Sequence, residues 1–279
     1  MFRDVSFGQY YPADSFVHKM DARIKIVLSI TYLVAVIMIE SFVGFGIFLL
    51  FLAVAVAGSR VPLKSIVKSI KPILFLLVFT MVINIFFFHE GEVLAEWWIF
   101  RFTEGGLLFT ARMALRLLFL VMGGSLLTLT TTPVDLTAGI ESLLSPLNLI
   151  RFPVQPLAMI MSLTLSIIPS LMEETDRIIR AQKARGADFE SGSIVKRAKA
   201  FLPILIPLLI GAFRRAEDLA LAMEARCYGA AGKRTKMKAL RVGLRDVFGL
   251  LVAVCFFGAM LALKYVPDLF GGQFPWLYI

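Results

Sequence analysis

The chain reads as an all-α polytopic membrane protein, with about five transmembrane helices and a helical domain on the cytoplasmic side. Three observations predict this. Hydrophobic residues make up 58% of the 279 residues and charged residues 18%, against roughly 45–50% and about 25% in ordinary soluble domains. The mean hydropathy of +0.82 is too high for a soluble fold to conceal without large exposed apolar patches. Positive charge is also segregated, with 16 of the 29 Lys and Arg residues in 172–245.

The first apolar stretch, 26–57, is 32 residues long. One straight helix of that length would run about 48 Å, against a hydrocarbon core of about 30 Å. Its flanks are basic on both sides, with Lys19, Arg23 and Lys25 before it and Arg60, Lys64, Lys68 and Lys71 after it. Both ends therefore face the cytoplasm, and the stretch is expected to be two short helices with a turn at Glu40–Gly46. The third span is expected from Pro72, placed in a helix's first turn, to Phe88. The loop 89–105 carries Glu90, Glu92, Glu96 and Glu104 against Arg101, and holds Trp97 and Trp98. It reads as external, with the tryptophans at the bilayer interface. A fourth span is expected over 107–131 and a last one over 247–263, leaving the C-terminal tail outside.

Between them the character changes. The apolar pieces 157–171 and 201–213 are broken or flanked by prolines, and each is shorter than the roughly 17–25 residues of a spanning helix. The stretch 172–200 carries seven Lys or Arg, which opposes its export. The chain therefore divides into 1–131, an N-terminal segment and four spans; 132–242, cytoplasmic helices; and 243–279, the last span and an external tail. This arrangement leaves 25 of the 29 basic residues inside.

Several chemistries are disfavoured. Cys227 and Cys255 form no disulfide framework or C-x-x-C pattern. His18 and His89 are 71 residues apart, and no metal site is expected. His18 is expected to make a local hydrogen bond. No Walker A phosphate loop is present: the run from Gly229 through Gly232 and Lys233 to Thr235 has the wrong spacing. No catalytic triad or carboxylate dyad is apparent, so neither an enzyme nor a bound cofactor is expected. The N-terminus lacks a signal-peptide apolar core and reads as retained. The basic run from Lys233 to Arg245 adjoins a span, which makes anionic headgroups a better partner than nucleic acid.

Two helices are expected in the middle region, near 157–185 and 194–226, each beginning apolar and ending charged. Their ends repeat one another. One reads Ala181-Gln-Lys-Ala184-Arg185-Gly186 and the other Ala222-Met-Glu-Ala225-Arg226-Cys227. Small alanines let another surface approach closely, and the planar guanidinium can pair with carboxylates or backbone carbonyls. An arginine at a helix C-terminus also simply complements the macrodipole. Two copies 41 residues apart favour a pair of docking tips and a partner with two similar subunits.

With those residues in view, the chain resembles the transmembrane T component of energy-coupling factor (ECF) transporters, including the cobalt-transporter transmembrane subunits. The N-terminal segment Gly8-Gln9-Tyr10-Tyr11-Pro12, then Ser15, His18 and Met20-Asp21-Ala22-Arg23-Ile24-Lys25, is similar to the family's, with Ala22 where the family usually has proline. Ala184-Arg185-Gly186 is similar to the family's paired coupling motifs. Ala225-Arg226-Cys227 departs at its last position, and since cysteine resists the left-handed cap, this helix is expected to run on to Gly229. The resemblance implies a cytoplasmic helical coupling domain and a partnership with two ATPase subunits of the ATP-binding-cassette type, which bind the ATP. It also implies a membrane S component that carries a vitamin or metal ion.

Met159, Met161, Leu205 and Leu208 lie in the apolar halves of the two helices. They are expected to form a platform for the S component, although plain packing also accounts for them. Arg112 and Arg116 share one face of the fourth span. Buried charges there can mark a substrate path, but snorkelling, or pairing with Glu104 or Glu96, is the preferred reading. Glu40 reads as a turn residue at the outer surface. A self-sufficient channel or permease would need a continuous polar path, and an intramembrane enzyme would need convergent His, Asp or Glu. The spans supply neither.

Overall fold

The structure is a computed structural model that describes residues 10–39, 41–87, 93–97, 100–187, 189, 193–229 and 243–265. Among the described residues it is helical apart from one hairpin. Contacts divide the described residues into two bodies, one holding those of 10–154 with 243–265 and the other those of 155–229.

In the first body, α1 (Ala22–Met38) starts where the Asp21 carboxylate accepts the Arg23 N–H at 2.9 Å. α2 (Phe42–Ser59) starts at Ser41, whose hydroxyl accepts the Val43 N–H at 3.2 Å. The long first stretch is thus two helices, as its length requires, and the turn is shorter than the expected Glu40–Gly46, since Gly44 and Gly46 lie inside α2. Arg60 ends α2 in the left-handed conformation, φ 54°. Pro62 follows, and α3 (Leu63–Phe87) begins at once. This corrects the expected start at Pro72, which lies inside α3. The lysines at 64, 68 and 71 belong to the same helix as the apolar run, and the one backbone bond lost at proline is tolerated within it.

β1 (Val93–Trp97) and β2 (Phe100–Thr103) pair antiparallel, a hairpin within the loop expected at 89–105. His89, Glu90, Glu92, Trp98 and Glu40 lie outside the described residues. α4 (Glu104–Thr130) is capped by Thr103, which accepts the Gly106 N–H at 3.2 Å. α5 (Pro133–Leu144) is capped by Thr132, which accepts the Asp135 N–H at 3.1 Å and donates to its carboxylate at 2.6 Å. A 3-10 turn, Ser145–Ile150, follows. α8 (Leu244–Tyr265) is a helix over the stretch expected as the last span.

Aromatic rings from four helices fill the core. Phe48 and Phe119 are fully buried, Phe45 stacks on Phe119, and Phe256 packs on Phe48 at 4.8 Å between centroids. Tyr32 donates to the Phe119 carbonyl at 3.0 Å. It fits only because residue 123 is glycine, where a Cβ would fall 2.0 Å from the ring. Polar bonds close the end of this body. Asp246 accepts the Asp21 N–H at 2.7 Å and the Gly243 N–H at 2.8 Å. Buried Lys25 donates to the carbonyls of His18 and Thr130, both at 3.0 Å. His18 Nε2 donates to the Tyr11 carbonyl at 2.9 Å, which leaves Nδ1 to accept from the Ser15 hydroxyl at 2.6 Å. The expected local role of His18 holds.

In the second body, α6 (Val154–Ala184) and α7 (Ile194–Ala225) run 31 and 32 residues. Pro169, Pro203 and Pro207 lie inside them without ending either helix. Among the described residues four helices are long and apolar enough to cross a membrane, within 42–59, 63–84, 105–130 and 154–184. The first apolar piece of the middle region therefore belongs to a helix of spanning length, which corrects the expectation that it is too short. α1, at 17 residues, is near the lower limit for a span.

Candidate coupling site

α6 and α7 are antiparallel. Glu174 pairs with Arg215 at 3.0 Å. Earlier on α6, Met159 accepts a 2.5 Å hydrogen bond from the Tyr228 hydroxyl, which lies just past the end of α7. At the other end Phe189 packs on Phe201, 5.8 Å between centroids. As the position on one helix rises, its partner's position on the other falls.

The two helix ends have one geometry. After Ala184, Arg185 is the cap residue and Gly186 is left-handed at φ 85°. The Gly186 N–H donates to the Lys183 carbonyl and the Ala187 N–H to the Gln182 carbonyl, both at 3.0 Å. After Ala225, Arg226 is the cap residue and Cys227 is left-handed at φ 54°. The Cys227 N–H donates to the Glu224 carbonyl at 2.8 Å and the Tyr228 N–H to the Met223 carbonyl at 3.0 Å. Each is a Schellman ending, in which the two residues after the cap satisfy otherwise unpaired carbonyls. The expectation that α7 runs on to Gly229 is corrected: Cys227 takes the left-handed position, because these two bonds offset the roughly 1–2 kcal/mol cost to a non-glycine residue.

Ala184, Arg185, Gly186, Ala225, Arg226 and Cys227 are all exposed. Since Tyr228 meets Met159, the second tip lies beside the start of α6. The first lies 26 residues further along it, about 40 Å away at 1.5 Å per residue. The tips stand at opposite ends of one helix pair, each presenting a guanidinium that the chain itself leaves exposed.

Of the expected platform residues, Met161 and Leu205 are exposed, at 37% and 58%, and Met159 and Leu208 are half-buried. Around them Ile160, Ile206, Leu209 and Phe213 are at least half exposed, so the apolar halves of both helices present uncovered side chains among the described residues. Arg116 donates to the Ile39 carbonyl at 2.6 Å, at the end of α1, and Arg112 lies 5.8 Å over the Phe42 ring at the start of α2. Both brace the α1–α2 turn. The side chains of Glu96 and Glu104 lie outside the described residues. Among the described residues no group of three or more His, Cys, Asp or Glu side chains could hold a metal ion. Tyr228 and the Glu174–Arg215 pair carry no distinctive local pattern, and sequence reasoning assigned them no contact.

The family described as cobalt transport protein, CbiQ, matches residues 13–238. The chain is 46% identical over 266 residues to the energy-coupling factor transporter transmembrane protein EcfT of Ruminiclostridium cellulolyticum, covering 95% of this chain and 99% of that one. It is 47% identical to the protein of the same name in Clostridium kluyveri, covering 91% and 94%. To that of Bacillus subtilis it is 41% identical, covering 86% and 91%. A membrane-spanning helical body with a second body of two long helices thus meets relatedness over nearly the full length, and the chain belongs to the cobalt transport protein family as an energy-coupling factor transporter transmembrane component.

Proposed function

We propose that this chain transmits the ATP-driven motion of two ATP-binding-cassette ATPase subunits to a membrane S component that carries a vitamin or metal ion. The observation that supports this best is the pair of matched helix endings with exposed Arg185 and Arg226. One geometry presented twice suits two similar partners. The planar fork of arginine suits a groove lined by carboxylates or carbonyls. ATP stays with the ATPase subunits, and this chain binds no cofactor of its own. The N-terminus and the basic parts of residues 132–242 face the cytoplasm in this reading, since 16 of 29 basic residues lie in 172–245 and basic segments are retained inside. The exposed apolar halves of α6 and α7 then receive the S component, with Met159, Met161, Leu205 and Leu208 in the platform. Uptake specificity resides in that S component.

Affinity purification of the tagged chain from its native membrane tests the reading. Two ATPase chains and a small membrane protein are expected with it. Recovery of the chain alone, with transport activity when it is reconstituted by itself, would replace this reading with that of a self-sufficient permease.

A further inference from the structure

Each tip of the helix pair is followed by an aromatic residue that touches the opposite helix. Tyr228 stands two residues after Arg226, and its hydroxyl donates to the Met159 sulfur on α6. Phe189 stands four residues after Arg185, and its ring packs on Phe201 of α7 at 5.8 Å between centroids. Both contacts fall on an apolar half. Met159 lies near the start of the α6 half, and Phe201 opens the α7 half. Phe189 is buried and Met159 half-buried, so both contacts are packed.

The path from each tip to the apolar half of its own helix is long. From Arg185 back to Met159 α6 runs 26 residues and includes Pro169. From Arg226 back to Leu205 α7 runs 21 residues and includes Pro207. An interior proline removes one backbone hydrogen bond and is the usual place for a helix to bend. A push delivered along either helix is partly absorbed there. The crosswise paths are shorter. One runs from Arg226 through backbone held by the Schellman bonds, where the Tyr228 N–H itself donates to the Met223 carbonyl at 3.0 Å, and crosses to α6 at once. The other runs from Arg185 through the Phe189 ring to Phe201, about one helical turn from Leu205.

We propose that Tyr228 and Phe189 are positioning residues that tie each docking tip to the apolar half of the opposite helix. Movement at Arg226 then reaches Met159 on α6, and movement at Arg185 reaches Phe201 on α7. The inference rests on the reading of the two arginines as ATPase docking tips, and it assigns the route from them to the platform.

The test uses the complex that the tagged chain brings from its native membrane. A nitroxide is attached at Ile160→Cys on α6 or at Ile206→Cys on α7, both exposed positions. Cys227→Gly and Cys255→Ala remove the chain's other thiols, and the signal of a complex without either introduced cysteine is subtracted. A non-hydrolysable ATP analogue with Mg²⁺ is added, and the change in nitroxide mobility is read by electron paramagnetic resonance. Tyr228→Phe should cut the change at 160 about twofold and Tyr228→Ala about fivefold, with little effect at 206. Phe189→Ala should do the reverse, and Phe189→Leu should restore about half of the change at 206. Equal losses at both labels from either alanine variant would mean that the pair moves as one rigid body, which overturns the links. A change at 160 indifferent to Tyr228→Ala, or at 206 indifferent to Phe189→Ala, overturns that link. Loss of the ATPase subunits from Tyr228→Phe would place Tyr228 in the docking surface and overturn its role as a link. An intact parent complex silent at both labels overturns the links alone. A parent chain that brings no ATPase subunits overturns the docking reading itself, and that failure shows before any variant is made.

Discussion

Cys227 holds at the end of α7 the left-handed backbone that Gly186 holds at the end of α6, φ 54° against φ 85°. The same pair of N–H donors follows in both. No neighbouring atom lies within 4 Å of a Cβ built at Gly186, so the difference between the two positions is one of backbone preference. Cys227→Gly should stabilise the chain by about 1 kcal/mol and Gly186→Ala should destabilise it by about as much. Thermal unfolding in detergent reads both shifts. Shifts of equal sign would mean that the two caps are not equivalent.

Arg185→Ala and Arg226→Ala should leave unfolding of the isolated chain within about 0.5 kcal/mol of the parent, because both side chains are exposed there. In the complex, truncating an arginine whose charge-assisted bonds are desolvated costs about 2–5 kcal/mol. Each variant should therefore lose transport sharply, and the double variant should lose the ATPase subunits on purification. Lysine should restore only part, since it keeps the charge without the fork. Full transport with alanine at both positions would leave the arginines as ordinary helix-end charges.

A charge placed on the apolar platform should separate two partnerships. Met161→Asp or Leu205→Asp should release the S component while the ATPase subunits are retained, because burying an unpaired carboxylate is unfavourable. Unchanged recovery of the S component in both variants would show that these faces pack elsewhere.

Asp246 binds two backbone N–H groups at once, one of them 225 residues away at Asp21. Asp246→Ala leaves both donors without this acceptor, a loss of about 2–4 kcal/mol at roughly 1–2 kcal/mol each. Asp246→Asn keeps one acceptor and should fall between alanine and the parent. Calorimetric unfolding in detergent gives the order, and an asparagine variant as unstable as alanine would place the stability in the charge and not in the two bonds.

The helices α1, α2, α4 and α8 were legible because apolar runs stand out against polar and basic flanks. The start of α3 was not, since hydropathy marks the part of a helix that meets lipid and says little about a lysine-bearing turn that continues the same helix. The tips were legible as a repeat, while the conformation of Cys227 was not, because local capping bonds override a residue's own preference. The contacts Asp21–Asp246 and Met159–Tyr228 join elements far apart in the chain, and no local spacing signals them.

The placement of the tips also sets what kinds of movement they can impart. Forces on Arg185 and Arg226 that point the same way carry the helix pair bodily, without turning it. Forces that oppose each other form a couple, with a lever arm of about 40 Å between the two arginines. A small antagonistic displacement at the ends then becomes a tilt about the middle of the pair, near the Glu174–Arg215 bridge. Each apolar half lies to one side of that fulcrum, so it swings through an arc while the bridge stays almost still.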